Sequence, residues 1–326
     1  MLDETIFSIQ NDSDFEEITL RVFRYQYINN PVYQRFCNLL GITKTSVKQL
    51  IDIPYLPIQF FKQEKVVSSY TPNYKVFTSS GTTGSITSKH YVSDLILYEK
   101  SFLKGFQYFY GEISDYVVLA LLPSYLEREG SSLVYMAERL INDSNHKESG
   151  FYLNNSKELV HTLRQLISEN KKTLLLGVSF ALLDLAEQYD LSLPQNVVVM
   201  ETGGMKGKRK EMIREELHQH LKDGLKTSQI HSEYGMTELL SQAYSKKDGV
   251  FYTPPWMKIS IRNPEDALSL MGNEKTGGIN IIDLANINSC AFIATQDLGK
   301  THANNGFEVL GRFDHSDIRG CNLMAL

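Results

Sequence analysis

Three short stretches in this chain carry an unbroken apolar run: "YVVLALLP" at 116–123, "KTLLLGVS" at 172–179 and "NVVVMETGG" at 196–204. A strand open to water on one side alternates polar and apolar residues. A run that does not alternate is buried on both faces, the usual condition in a parallel sheet covered by helices. Apolar residues at helical spacing predict helices at 157–169, 180–189 and 208–222, between and after these runs. Strand–helix alternation of this kind predicts an α/β core with parallel strands. Upstream, Phe15, Ile18, Val22, Phe23, Phe36, Leu39 and Leu40 predict helices within 14–50, and "IDIPYLPIQFFK" at 51–62, with two prolines, predicts an ordered loop or turn. From 249 onward short β-type runs are separated by Gly, Asn and Pro: "GVFYTPPWMKISIRN", "GGINIIDLA", "CAFIATQDLG" and "GFEVLGRFD". The expected division is therefore an α/β core over 1–248 and a smaller β-rich lobe over 249–326.

Composition narrows the class. Of 326 residues 42% are hydrophobic and 22% charged, which fits a packed chain and not a disordered one. A net charge of −5 argues against general affinity for nucleic acid or acidic membranes. No apolar stretch is long enough for a membrane span, and "MLDETIFSIQNDSDF" lacks the basic start and apolar run of a secretory signal. Cys37, Cys290 and Cys321 are odd in number and lack metal-type spacing, which predicts reduced thiols and a cytoplasmic location.

"KVFTSSGTTGSITSKHYV", 75–92, carries eight consecutive Ser, Thr or Gly residues, from Thr78 to Ser85. Gly81 and Gly84 free the backbone to turn amides toward one point, while Ser79, Ser80, Thr82, Thr83 and Ser85 add hydroxyl donors. Such a loop suits phosphate oxygens. A flexible linker is the commoner reading of a Ser/Gly-rich stretch. Here the loop directly follows an expected strand over 74–77 and contains β-branched threonines, which linkers tend to avoid. It is not a kinase-type P-loop, because no Gly-Lys-Ser/Thr follows at the required spacing. "TGGMKGK", 202–208, lacks the alternation of the dinucleotide G-x-G-x-x-G.

With these residues in view the chain resembles the adenylate-forming enzymes, the superfamily of acyl-CoA synthetases and firefly luciferase. "SSGTTGS" at 79–85 is similar to its phosphate loop, "METGGMKG" at 200–207 to its strand and glycine turn beside the adenine, and "HSEYGMTEL" at 231–239 to its Tyr-Gly-x-Thr-Glu motif. "IATQDLG" at 293–299 resembles the segment whose aspartate holds the ribose, and "LGRFDHSDIRG" at 310–320 the Gly-Arg-x-Asp hinge. "IPYLPIQFFK" and the ending "SDIRGCNLMAL" resemble more narrowly the LuxE-type acyl-protein synthetases of the bacterial luminescence operon. The resemblance implies ATP and Mg²⁺ as cofactors, a long-chain fatty acid as substrate and an acyl reductase of the LuxC type as partner. It implies nucleotide contacts from Thr78 to Ser85, Gly203, Gly204, Tyr234, Gly235 and Thr237, a metal carboxylate in Glu238, and ribose or phosphate contacts from Asp297 and Arg312. The residue types fit these roles, since a carboxylate suits a hard cation, an acid suits ribose hydroxyls and a guanidinium fork suits oxygens. Taken singly, Glu238 would read as a solvated helix-start carboxylate and Asp297 with Arg312 as a surface pair. "GKRK" at 207–210 reads as an exposed basic helix start.

The chain stops fourteen residues after Arg312, so the mobile C-terminal domain of the larger enzymes, with its adenylation lysine, is expected to be absent. Lys89 is the candidate to supply positive charge instead. In LuxE-type proteins a cysteine near the C-terminus carries the acyl group as a thioester, and Cys321 stands in that position. Nine residues of extended tail reach about 30 Å. Cys37 and Cys290 read as buried thiols. Three alternatives stay open on the sequence alone: an acyl- or aryl-CoA ligase-like enzyme, a non-catalytic nucleotide-binding scaffold, and an esterase. For the last, "LLLGVSFALLDLA" at 174–186 approximates a nucleophile elbow at Ser179, with Ala181 replacing the second glycine and Asp297 and His302 as partners in order.

Overall fold

A computed structural model of the chain describes residues 2–68, 71, 73–79, 86–122, 130–152, 155–203, 209–210 and 212–313. Two compact units result. One joins Met1–Tyr70 with Pro255–Leu326, and the other is Thr71–Pro254.

The first segment folds as α1 (Leu2–Ile6), α2 (Asp12–Asn29), α3 (Pro31–Leu39), β1 (Leu56–Pro57) and α4 (Phe60–Gln63). Asn11 caps α2 by accepting the Asp14 N–H, and Asn30 caps α3 by accepting the Tyr33 N–H. Pro31 opens α3, where its missing N–H costs no helical bond.

The middle unit begins with the hairpin β2 (Lys75–Thr78) and β3 (Lys89–Val92), followed by α5 (Leu95–Tyr110) and β4 (Val117–Leu121). Then come α6 (Ser132–Ser144), β5 (Gly150–Phe151), α7 (Ser156–Ser168), β6 (Thr173–Val178) and α8 (Ser179–Gln188). It closes with β7 (Val197–Thr202), α9 (Arg214–Leu225), β8 (His231–Tyr234) and β9 (Ala243–Ser245). The sheet order is β5-β4-β6-β7-β8-β9, parallel except for β9. β4 and β6 are buried at every position, as their unbroken apolar runs require. The α/β fold expected from the alternation is thus the one observed. Helix α9 starts at Arg214, later than the expected 208; Glu215 and Glu216 sit in its first turn, where carboxylates favour the positive end of the helix.

The remaining strands are β10 (Met257–Arg262), β11 (Leu270–Met271), β12 (Gly277–Asp283), β13 (Phe292–Thr301) and β14 (Phe307–Arg312). They form a sheet of order β1-β13-β12-β10-β11, with β14 also on β13. All pairs are antiparallel except β1 with β13, where Leu56 lies opposite Ile293. Residues 1–70 therefore group with the C-terminal strands, where the sequence placed them with the α/β core. Buried Gln26 of α2 explains part of this: its amide donates to the carbonyls of Asn286, Ile287 and Ser289, and its Oε1 accepts the Ala291 N–H. Phe23, Tyr33 and Phe292 pack their rings in the same core. Among the described residues no helix is long and apolar enough to cross a membrane.

Candidate functional site

The Ser/Thr/Gly stretch joins the two strands of the first hairpin. Thr78 lies opposite Lys89 and Phe77 opposite His90. Ser80, Gly81, Thr82, Thr83, Gly84 and Ser85 lie outside the described residues, as do Gly204 and Cys321. The ends of the loop are held: the Ser79 N–H donates to the Ser88 carbonyl at 3.1 Å, and the Ser88 N–H donates to Ser79 Oγ at 2.9 Å. The Thr78 N–H donates to the Gly130 carbonyl at 2.8 Å. Phe77 packs against Tyr98 of α5 and Tyr135 of α6, which seats the hairpin. Lys89 is exposed. His90 is wholly buried, and its Nδ1–H donates to the Thr237 carbonyl at 2.8 Å. That bond joins the strand leaving the donor-rich loop to the Tyr234–Glu238 motif, 147 residues later in the chain.

The motif begins at the carboxyl end of β8. In open parallel sheets ligands bind beyond the carboxyl ends of the strands, because that is where the strand-to-helix loops gather. Here the ends are tied laterally. Ser179, which follows β6, donates to the Gly203 carbonyl after β7 at 2.8 Å. Thr202 of β7 donates to the Glu233 carboxyl of β8. Gly203 turns with φ 69°, a left-handed conformation that suits glycine. At Gly235 a Cβ would meet Glu233 Oε1, so any larger residue there would force that carboxyl to shift. Tyr234 is buried edge-on against Phe251. Thr237 is half-buried, and Glu238 is only 5% exposed.

Two carboxylates flank these strand ends on opposite faces. Glu201 and Thr202 are successive on β7 and point to opposite sides; across the ladder Ser232 is level with Glu201, and Glu233 with Thr202. Burial opposes ionisation of Glu201. The bond with His218 (3.5 Å) and the Arg214 guanidinium (3.4 Å) outweigh that cost and hold its carboxyl below the usual range. Among the described residues Glu233 has no such cation: burial, with the Glu201 charge adding to it, pushes its carboxyl up to about 7 against the opposing bond from Thr202. Arg209, in the basic run expected to be exposed, is instead bound by Asp184 and Glu187 of α8, so its charge is already matched within the protein.

Among the described residues no group of three or more His, Cys, Asp or Glu side chains could hold a metal alone. Mg²⁺ commonly takes one or two carboxylates and completes its shell with phosphate and water, so a single buried-edge carboxylate such as Glu238 fits a co-ligand role.

Asp297 and Arg312 face each other on β13 and β14 of the other unit, with Arg312 Nε 3.1 Å from Asp297 Oδ1; the aspartate is buried and the arginine exposed. The residues proposed for an esterase are engaged in other bonds within their own units. Buried Ser179 bonds to Gly203 and Glu201, while the ring nitrogens of His302 are taken by Glu274 and Glu308, each at 2.9 Å. Cys37 and Cys290 are buried thiols, and burial pushes Cys37 up to about 12. Sequence reasoning missed Thr202, Glu233, Glu201 and His218. The polar residues inside "METGG" and "HSEYG" were its only available signal.

No protein-family model matches the sequence, and no curated protein matches it. Solved structures do. ATP-bound MatB from Rhodopseudomonas palustris is 15% identical, with a TM-score of 0.56, over 75% of this chain and 50% of that one. A chimera built on it, also ATP-bound, scores 0.57 at the same identity and coverage. 2-Hydroxyisobutyryl-CoA ligase, in complex with 2-HIB-AMP and CoA, is 12% identical with a TM-score of 0.66, over 94% of this chain and 77% of that one. This chain spans half the length of the MatB structures it matches. At these identities the likeness is one of fold alone, an α/β architecture shared with these ligases.

Proposed function

We propose that this chain activates a carboxylic acid with ATP, forming an acyl-adenylate, and then transfers the acyl group to a thiol. The observation that carries the reading is the His90–Thr237 bond, which couples the hairpin bearing the donor-rich loop to the Thr237–Glu238 segment at the carboxyl edge of a parallel sheet. Ligands bound by the fold's neighbours, ATP in MatB and an acyl-AMP with CoA in 2-hydroxyisobutyryl-CoA ligase, support it.

Amides and hydroxyls of Thr78 to Ser85 would cradle the triphosphate, with Lys89 supplying positive charge. Glu238 would hold Mg²⁺ beside it; the ion, when bound, offsets the negative charge of the phosphates. The acid's carboxylate oxygen attacks the α-phosphorus and pyrophosphate leaves. A thiolate then attacks the acyl carbon and AMP leaves, giving a thioester. For Asp297 and Arg312 the proposed role is hydrogen bonding to ribose hydroxyls.

The finer reading is a long-chain fatty acid as substrate, Cys321 as acyl carrier, an acyl reductase as recipient and a cytoplasmic location. The exclusion of nucleic-acid partners rests on the net charge alone.

ATP–pyrophosphate exchange with a panel of carboxylic acids tests the first step. Exchange that depends on a fatty acid is expected. ATP-independent ester hydrolysis, or nucleotide binding with no exchange under any acid, would overturn it. Intact mass after incubation with ATP, Mg²⁺ and fatty acid tests the second step. A hydroxylamine-labile adduct should form and should vanish in Cys321→Ser while exchange persists.

A further inference from the structure

We infer that the Glu233 carboxyl, held to the end of β7 by Thr202, is a proton-dependent latch on the Gly235 turn that leads into Thr237 and Glu238 of the proposed nucleotide site. The inference rests on that reading for its consequence but on separate observations for its existence.

Geometry comes first. Thr202 is the last residue of β7 and Glu233 the penultimate residue of β8, opposite each other in the ladder. The Thr202 hydroxyl donates to Glu233 Oε2, and Glu233 Oε1 lies directly under Gly235. One carboxyl thus touches both the strand that leads into Gly203 and the turn that leads into Thr237 and Glu238. Gln242 flanks the same glycine, and its Oε1 is buried with no hydrogen-bond partner among the described residues. A protonated carboxyl has an O–H to donate and an ionised one has none, so only the acid form can serve a neighbouring acceptor of this kind.

The surroundings decide which form is present. Glu233 is 8% exposed. Tyr244 of β9 lies opposite it in the ladder, with Tyr98 and Tyr110 of α5 close to Tyr244. His231, two residues earlier on the same face of β8, is held neutral at ordinary pH, burial and Lys246 lowering it to about 4. Lys246 itself lies over the Tyr110 ring. The charge of Glu201 comes from the opposite face of β7, where Arg214 and His218 are already committed to it. Burial is therefore the dominant influence on Glu233, and it favours the protonated form up to about pH 7. Above that, an ionised carboxylate sits in the same buried space, repels Glu201 and withdraws its proton from the turn. Glu233 is a positioning residue: it acts through the strand end at Thr202 and the turn at Gly235.

The test is calorimetric titration of ATP with Mg²⁺ into wild type and Glu233→Gln from pH 6 to 9. Glutamine keeps a neutral donor and acceptor at every pH. Phosphate titration of ATP affects both proteins equally, so the ratio of their Kd values isolates Glu233. That ratio should be near one at pH 6 and climb toward tenfold per unit above about pH 7. A ratio that does not change with pH overturns the latch.

Thr202→Val is the second variant and carries the test if the glutamine protein does not fold. Removing a donor to the carboxylate favours the acid form, so the loss of ATP affinity should begin at higher pH than in wild type; an unmoved onset overturns the proposal. If wild type binds no ATP at pH 6, the nucleotide reading fails. The latch is then read from hydrogen exchange at 231–238, which should accelerate above pH 7 in wild type relative to the variant. Equal rates would sink it independently.

Discussion

The two units bury polar side chains for different ends. In the unit formed by Met1–Tyr70 and Pro255–Leu326, buried Gln26, Asn30 and Ser68 all donate to the Ser289 carbonyl, and the Ser289 hydroxyl donates to the Val66 carbonyl, so these groups tie backbone segments far apart in sequence. In Thr71–Pro254 five buried polar groups lie at or just past the carboxyl ends of β6, β7 and β8: Ser179, Glu201, Thr202, Glu233 and Glu238. Topology accounts for the contrast. A parallel sheet sends every strand-to-helix loop out on one edge, so side chains for chemistry converge there. Antiparallel connections alternate between both edges and disperse them.

The largest effect that would test this contrast is on stability. Phe292 is fully buried against Tyr33 and Phe23. Phe292→Ala should cost its unit about 3–5 kcal/mol in denaturant unfolding. A cost under about 1 kcal/mol would mean that this core is not the anchor described.

On the other side of the comparison, Glu238→Ala should leave the unfolding midpoint nearly unchanged. It should slow ATP–pyrophosphate exchange by roughly two orders of magnitude, the scale of several kcal/mol associated with a metal carboxylate. Wild-type exchange rates in a folded variant would remove Glu238 from the site.

A smaller effect concerns pH. His231 is half-buried beside Tyr110, with its imidazole lowered to about 4 by burial and then by Lys246. A group that is harder to protonate when folded lends stability above its unfolded value of 6.5. That contribution is lost as pH falls from 6.5 toward 4. Wild type should therefore lose on the order of 1–3 kcal/mol relative to His231→Gln across that window, and nothing between pH 7 and 9. Parallel pH curves for the two proteins would contradict it.

The smallest effect is expected at Arg312. Its side chain is 77% exposed although it pairs with Asp297. Arg312→Ala should change stability by less than about 1 kcal/mol, because water screens the pair. If nucleotide affinity nevertheless drops several-fold, the arginine serves a ligand.

Much of this could be read along the chain. β4, β6 and β7 follow from unbroken apolar runs, and α7 and α8 fall within a residue of the segments their periodicity marks. The glycines at 203 and 235 and the acid at 238 stood in recognisable motifs. Helices α5 and α6 went unmarked, although Asp94 caps the first by accepting the Ile96 and Leu97 N–H groups. The grouping of residues 1–70 was also missed, because Gln26 meets its carbonyl partners about 260 residues later and a local pattern holds no record of such a partner.

Sequence by itself determined what depends on near neighbours: which segments are strands or helices, where glycine permits a turn, and which residue types are suited to oxygen-rich ligands. Tertiary structure alone decided what depends on pairing. The ladder between β7 and β8 sets Glu233 beside Thr202 and Glu201 beside Ser232, and so makes two carboxylates of one chemical kind into a near-neutral acid and a paired anion. The physical reason is that a side chain's charge state is set by desolvation and by the groups within a few ångströms, and those are chosen by the register of strands distant in sequence.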